Sequence, residues 1–478
     1  MKNLFSSVYL VSKIASAVVT VLSIALFTRL VSQDTYGQYL IGFAFAFILY
    51  STVAQWIVSA HFGQQSPKEA GQVAAGAIVL TGVAILIGSA FLAIATLFGL
   101  LAADIAVPTG VLLIGFSTFF LANEIGRAQL LVGPVTLGAT IRTVGTLVLG
   151  GLALWQFKSA ASLLIAVGIA HMIAGLPIAI RLRRVVWADG LIWPDPAIYS
   201  RLWRYGWPLI IAGGAAALAG SIDRLLIEHF YGPGLVGPYG ATLDFIKQSF
   251  VIVGETVAVS YVSRAKYLHG DDRPEHARSS LREAFVTAAF LAVFGVLFYL
   301  LVGDKVFGIL LHSDYQNATS LVPILAVANA CLLLRSYYFG QTIYFTNSVR
   351  LELISTLVAL VVSFVLSWWL IPLYSIAGAA FAYAIAQFAA LCVFLGSRKT
   401  RELMPVDIPR LLALVLAGAT TMVVGVVLKQ LLGDAAVPLN LLLIAGVSGT
   451  LLVRWDMFDA GRVWSGLGRV LREARLPR

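Results

Sequence analysis

Long apolar runs constrain the fold of this sequence more than any other feature. An α-helix needs about 20 residues to cross the hydrocarbon core of a bilayer. Val73–Leu101 and Leu281–Val302, for example, are each long enough. Only 12% of the 478 residues are charged and 59% are hydrophobic, whereas an ordinary soluble domain is about 25% charged. Because a soluble fold could not cover its surface with so few charges, we predict a polytopic membrane protein.

The spacing of the apolar runs predicts the architecture. Runs separated by polar or Gly/Pro breaks predict an all-α protein with about fourteen transmembrane helices. Tyr36-Gly37-x-Tyr39 and Val236-Gly237-x-Tyr239 recur at an offset of 200 residues, each opening a helix. Either Gly-x-Tyr recurs by chance at hairpins, or two six-helix blocks form a parallel repeat with a binding site between them.

The predicted domain organisation follows from this repeat. We expect an N-terminal six-helix lobe with a basic inter-lobe loop, a C-terminal six-helix lobe, an extra helix pair, and a basic amphipathic tail on the cytoplasmic leaflet. Their predicted ranges are residues 1–205, 206–400, 401–453 and 454–478.

The basic residues predict the orientation in the membrane. The formal net charge is +10, from 33 Lys and Arg against 23 Asp and Glu. With the N-terminus inside, 24 of the 33 basic residues fall in cytoplasmic segments, four fall outside and five fall within spans. Both termini are therefore predicted to be cytoplasmic. The basic charge is explained by topology, so a nucleic-acid partner is not favoured.

A small set of charged residues falls within the predicted spans. Each would cost about 2.5–3.5 kcal/mol at a helix centre, so these residues are expected to face protein or water. Asp244 and Glu255 are separated by about 20° around their helix, and Lys247 lies near the same line. The predicted polar stripe therefore faces the bundle interior.

Two interpretations of these charges remain open. In the functional interpretation, five cations bind an anionic substrate such as a phosphate or pyrophosphate. These cations are Lys13, Arg142, Arg224, Lys247 and Arg335. The carboxylates of Asp223, Asp244 and Glu255 then act as counter-ions or proton-coupling sites. In the structural one, Asp223 pairs with Arg224 and Asp244 pairs with Lys247 within the helices.

The remaining motifs do not suggest a cofactor or metal. Cys331 and Cys392 both lie in apolar runs, and the six His residues show no ligand spacing. We predict neither a cofactor nor a metal site.

Four segments, in order along the chain, resemble one family. These segments are Arg29–Tyr39, Ser221–Ile227 with Val236–Tyr239, Phe307–Ala318 and Leu370–Ala380. In them the chain is similar to the polysaccharide transporters, the O-antigen-type flippases, of the multidrug/oligosaccharidyl-lipid/polysaccharide exporter superfamily. Glu124, Arg127 and Arg142 belong to no motif that matches.

The resemblance implies a transporter rather than an enzyme. It implies two six-helix lobes around a central cavity, plus two extra helices. It further implies flipping of a polyprenyl-pyrophosphate-linked oligosaccharide from the cytoplasmic to the outer leaflet of the bacterial inner membrane by alternating access. The product would enter lipopolysaccharide or exopolysaccharide assembly, with a polysaccharide polymerase and chain-length machinery as partners.

Two alternatives stay open. A multidrug or lipid II exporter belongs to the same superfamily, although a drug antiporter would favour carboxylates over cations in its cavity. An integral-membrane polysaccharide polymerase or ligase usually needs a long external loop with catalytic Arg or His residues. The longest predicted outer segment, Asp304–Thr319, has only 16 residues, so the enzyme is the less favoured alternative.

Overall fold

The described chain is almost entirely helical. The computed structural model describes residues 2–64, 69–186, 193–270, 273–346, 349–455 and 457, with side chains from residue 15 onward except 185, 186 and 270. Within these ranges 93% of the residues are helical and no strand is present. The predicted all-α fold class is confirmed, while the tail 454–478 lies outside the described residues apart from 454, 455 and 457.

Most helices of the described chain are long enough to cross a bilayer. In chain order they are α1 (Lys2–Leu30), α2 (Gln33–Gln64), α3 (Ala70–Leu97), α4 (Ala103–Ala128), α5 (Val132–Phe157), α6 (Ala160–Val186), α7 (Pro196–Ala219), α8 (Ile222–Tyr231), α9 (Pro233–His269), α10 (Pro274–Leu310), α11 (Ser313–Thr346), α12 (Arg350–Tyr374), α13 (Ile376–Gly396), α14 (Arg398–Leu403), α15 (Ile408–Leu432) and α16 (Ala436–Arg454). Three of them contain a π-helical turn, at Tyr50–Ala54 in α2, Ala258–Val262 in α9 and Leu334–Tyr338 in α11.

The number of spans is close to the predicted one. Eleven stretches of the described chain are long and apolar enough to cross a membrane, or twelve if the bent pair α7 and α8 counts as one span. The last stretch contains both α15 and α16, where the Asn440 side-chain amide donates to the Gly425 carbonyl at 3.4 Å. Since α1 is a further apolar helix, the predicted fourteen spans are approximately consistent with these counts.

The chain forms two compact units. The first comprises Met1–Gln248, Leu310–Ala318 and Leu353–Ala386. The second comprises Ser249–Ile309, Thr319–Glu352 and Gln387–Arg478. The predicted domain ranges count helices along the sequence, whereas these units reflect packing, so the two divisions describe different properties of the chain.

A reciprocal glycine contact joins α2 and α9 within the first unit. A Cβ atom on Gly37 would overlap the carbonyl oxygen of Pro233, and one on Gly237 would overlap the carbonyl oxygen of Gln33. These residue pairs are related by the 200-residue offset of the predicted repeat. Only glycine allows backbones to approach this closely, so the two segments that share the Gly-x-Tyr pattern pack directly against each other.

We predict that Gly237→Ala destabilises the protein. The added methyl group meets backbone rather than a movable side chain, so the helices must separate, at a typical cost of about 1–3 kcal/mol. The measurement is the melting temperature of the purified protein in detergent. Gly82→Ala is the matched control, because a Cβ at Gly82 would have no neighbour within 4 Å. A Gly237→Ala protein that melts together with this control would contradict the proposed close approach.

Candidate functional site

A bend between α7 and α8 positions two of the predicted site residues. The two helices meet at an angle of 49° across Gly220 and Ser221. Asp223 and Arg224 therefore lie in the first turn of α8, where both are buried. The Arg224 backbone N–H donates to Asp223 Oδ1 at 2.9 Å, and the helix dipole favours a carboxylate at this end of a helix.

Arg224 and Asp223 are bound to side chains of the neighbouring helix α9. The Arg224 guanidinium donates to Asp244 Oδ1 in an ion pair, with side-chain exposures of 7% for Arg224 and 29% for Asp244. The hydroxyl of the fully buried Tyr239 donates to Asp223 Oδ2 at 2.6 Å. These contacts connect α8 to α9 and differ from the pairs within helices that the structural interpretation of the sequence expected.

Lys247 completes this polar cluster one turn further along α9. Its ammonium nitrogen lies 4.0 Å from where a Cβ of Gly220 would be, and the side chain is half-buried. No described residue forms an ion pair or hydrogen bond with it. Because Asp244 is already bound to Arg224, Lys247 is the cation in this cluster that is available to an additional anion.

Arg142 lies in a different part of the first unit. It projects from α5 into a cavity of about 390 Å³ bounded by α1, α4 and α5, and the lining of this cavity includes none of the residues around Arg224. Its guanidinium carbon is 5.6 Å from the centre of the Phe119 ring, which is a cation–π contact.

Arg335 belongs to the second unit and lies in the π-helical turn of α11. Its Nη1 donates to Gln387 Oε1 at 3.1 Å, and its Nη2 is 3.7 Å from Glu352 Oε1. The sequence analysis missed both partners. Glu352 could have been found, because it is an acidic residue in the first turn of an otherwise apolar helix, whereas Gln387 gave no comparable signal.

The structure thus groups only part of the predicted site. Asp223, Arg224, Asp244 and Lys247 lie together, while Arg142 lies in its own cavity of the same unit. Glu255 is half-buried on α9 and, like Arg335, belongs to the second unit. The side chain of Lys13 lies outside the described residues. In the described part of the chain, no group of three or more His, Cys, Asp or Glu side chains could hold a metal ion.

Comparisons with known proteins identify the fold. No family model matches the chain. Over 184 residues it is 22% identical to the capsular polysaccharide biosynthesis protein CapF of Staphylococcus aureus, a match that spans 38% of this chain and 46% of the relative. The chain therefore spans less than half the length of this curated relative.

Solved structures match over much more of the chain. The lipid II flippase MurJ in an inward closed conformation has a TM-score of 0.73 at 15% identity, covering 95% of this chain and 99% of MurJ. The chain has the fold of the MOP-superfamily transporters. An inward-facing MATE multidrug transporter of that superfamily has a TM-score of 0.65 at 14% identity, covering 85% of this chain and 98% of the transporter.

A third structure is relevant to the charge of the site. It is a MOP-superfamily transporter from Pyrococcus furiosus that is described as having a binding pocket of reverse polarity. Its TM-score is 0.56 at 16% identity, covering 86% of this chain and 95% of that transporter. Within this fold, therefore, pocket polarity differs between proteins, and the charges of a site have to be taken from its own residues.

We predict strong coupling between Arg224 and Asp244. Removing one partner of a buried ion pair typically costs about 3–5 kcal/mol, because the other charge is left without compensation. Arg224→Ala and Asp244→Ala should each lower the melting temperature in detergent, and the double variant should lose clearly less than the sum of the two. Additive losses in this double-mutant cycle would show that the pair does not stabilise the fold.

Proposed function

We propose that the protein is a flippase that translocates a polyprenyl-pyrophosphate-linked oligosaccharide from the cytoplasmic to the outer leaflet. It would do so by alternating access and supply surface polysaccharide or exopolysaccharide assembly. The observation that supports this proposal most directly is Lys247, a half-buried cation within a predicted span that has no described ion-pair partner.

The hydrogen bonding around Lys247 leaves its ammonium group available to an anionic substrate. A cation in the hydrocarbon region is costly unless it is paired or hydrated. Asp244 is bound to Arg224, and Asp223 accepts hydrogen bonds from Tyr239 and from the Arg224 backbone. A pyrophosphate group would give the Lys247 ammonium the charge-assisted hydrogen bonds that no described residue makes with it. In this proposal Arg224 organises the site, and Asp223 and Asp244 act as its counter-ions.

The elements around the cluster suit a conformational cycle. α8 is set at an angle to α7, and α9 contains a π-helical turn. Sharp bends and π-turns mark places where a helix departs from regular hydrogen bonding, and such turns are frequent at functional sites. Glu255, one turn before this π-helical segment, remains our candidate for proton coupling, and Arg335 and Lys13 remain candidate cations for the substrate.

The similarity to CapF and to MurJ supports a lipid-linked saccharide. CapF is a capsular polysaccharide biosynthesis protein and MurJ is a lipid II flippase. Lipid II export is accordingly the second candidate, favoured by the coverage of the MurJ match. A multidrug exporter is less favoured, because a drug antiporter would favour carboxylates over cations in its cavity. We also propose the bacterial inner membrane as the location, cytoplasmic termini, and a polymerase with chain-length machinery as partners.

We predict that Lys247→Ala reduces translocation strongly. In proteoliposomes that contain a fluorescent polyprenyl-pyrophosphate oligosaccharide, the variant should flip at least about tenfold more slowly, since one charge-assisted hydrogen bond is worth about 1.5–3 kcal/mol. Lys247→Arg keeps the charge and should retain most of the activity.

Lys429→Ala is the matched control. This lysine is 49% exposed and pairs with Asp304 at 2.8 Å, and surface pairs of this kind contribute little to stability. Normal flipping by Lys247→Ala at wild-type protein levels would refute the assignment of the cationic site. Running lipid II in parallel separates the two candidate substrates, because the true substrate should be flipped faster.

A further inference from the structure

The cavity between α1, α4 and α5 is not explained by the cluster around Arg224. It measures about 390 Å³, which is within the range of about 300–1,000 Å³ that small-molecule pockets occupy. Its polar lining includes Arg142, Asn123 and Arg127, and its apolar lining includes Phe119, Leu130 and Val132. A cavity with a cationic part and an apolar part is suited to an amphiphilic anion.

Arg142 is the cation in this cavity that forms no ion pair with a described residue. No carboxylate of the described residues pairs with it, and its Nε atom is buried without a hydrogen-bond partner. Its neighbour Arg127 is bound to Glu124 at 3.0 Å and is 58% exposed. The Phe119 ring packs against the Arg142 guanidinium at 5.6 Å, so Arg142 is held in the cavity by a cation–π contact.

The loop at one end of the cavity exposes apolar side chains. Leu130 is 83% exposed and Val132 is 56% exposed, and both line the cavity. Leu130 also has a φ of 55°, a left-handed conformation that is strained for a bulky residue. An exposed leucine held in this conformation beside a cationic cavity favours a ligand that arrives from the bilayer rather than from water.

We infer that this cavity binds the phosphate end of a membrane lipid. Arg142 and the Asn123 amide would bind the phosphate or pyrophosphate, and Leu130 and Val132 would contact the first part of the chain. The loop between α4 and α5 falls on the side that the basic residues predict to be cytoplasmic, where a substrate would be loaded. The inference rests on the proposed function only for the choice of lipid, since phospholipids share the same phosphate chemistry.

The test measures binding of farnesyl pyrophosphate to the purified full-length protein in detergent. Arg142→Met should weaken this binding at least about tenfold, because a charge-assisted contact is lost. The same variant should melt at the wild-type temperature or higher without ligand, because an unpaired buried cation does not stabilise the fold. Arg398→Met is the matched control, since Arg398 is 87% exposed and lies outside the cavity.

A second variant tests the apolar part of the site. Leu130→Gly permits the left-handed conformation and removes the apolar contact, so it should weaken farnesyl pyrophosphate binding without lowering the melting temperature. Binding of inorganic pyrophosphate should change much less. Equal losses for both probes, or no loss for either, would contradict the role of the loop.

Binding of dioleoyl phosphatidylglycerol, measured in the same way, distinguishes two sources of the phosphate. These sources are the transported lipid and a membrane phospholipid. Tighter binding of farnesyl pyrophosphate assigns the cavity to the transported lipid, and equal binding that Arg142→Met weakens equally assigns it to a membrane phospholipid. Wild-type binding of farnesyl pyrophosphate by Arg142→Met overturns the inference, even if Lys247→Ala abolishes flipping. Conversely, weakened binding in Arg142→Met together with normal flipping by Lys247→Ala refutes the proposed transport site and leaves this lipid site standing.

Discussion

The ion pair between Arg224 and Asp244 is the interaction on which the first unit depends. Charged groups inside a bilayer-spanning bundle need partners, and this pair joins α8 to α9 directly after the bend at Gly220 and Ser221. Tyr239 adds a second connection through its bond to Asp223. These contacts fix α8 against α9 beside Lys247, which forms no ion pair or hydrogen bond with a described residue.

Glycine makes this arrangement possible. The reciprocal contacts of Gly37 and Gly237 bring α2 and α9 within backbone contact. On the same face of α9, a Cβ at Gly240 would be 3.7 Å from the Arg224 guanidinium carbon and would overlap the Leu40 side chain. The absence of a side chain at Gly240 therefore provides the space in which the Leu40 side chain packs against α9, beside the guanidinium.

The sequence predicted the helices well, but it did not predict which side chains pair between them. Apolar runs set the spans because hydrophobic length is a local property of the chain. The partners of Arg224 and Arg335 depend instead on how distant helices pack. Arg224 binds Asp244, 20 residues away across a turn, and Arg335 binds Gln387, 52 residues away. Helical periodicity predicted that Asp244 and Lys247 lie on the same face of their helix. The 49° bend between α7 and α8 was not predicted, because Gly220 is the only sequence feature that indicates it.

The described cations within the spans divide into two kinds with different physical consequences. Arg224 and Arg335 have carboxylate partners, so removing either leaves an uncompensated carboxylate and should reduce stability. Lys247 and Arg142 form no ion pair with a described residue, so their removal leaves no carboxylate without its partner. We therefore expect replacement of an unpaired cation to impair binding or transport without impairing folding. Replacement of a paired cation is expected to affect folding first.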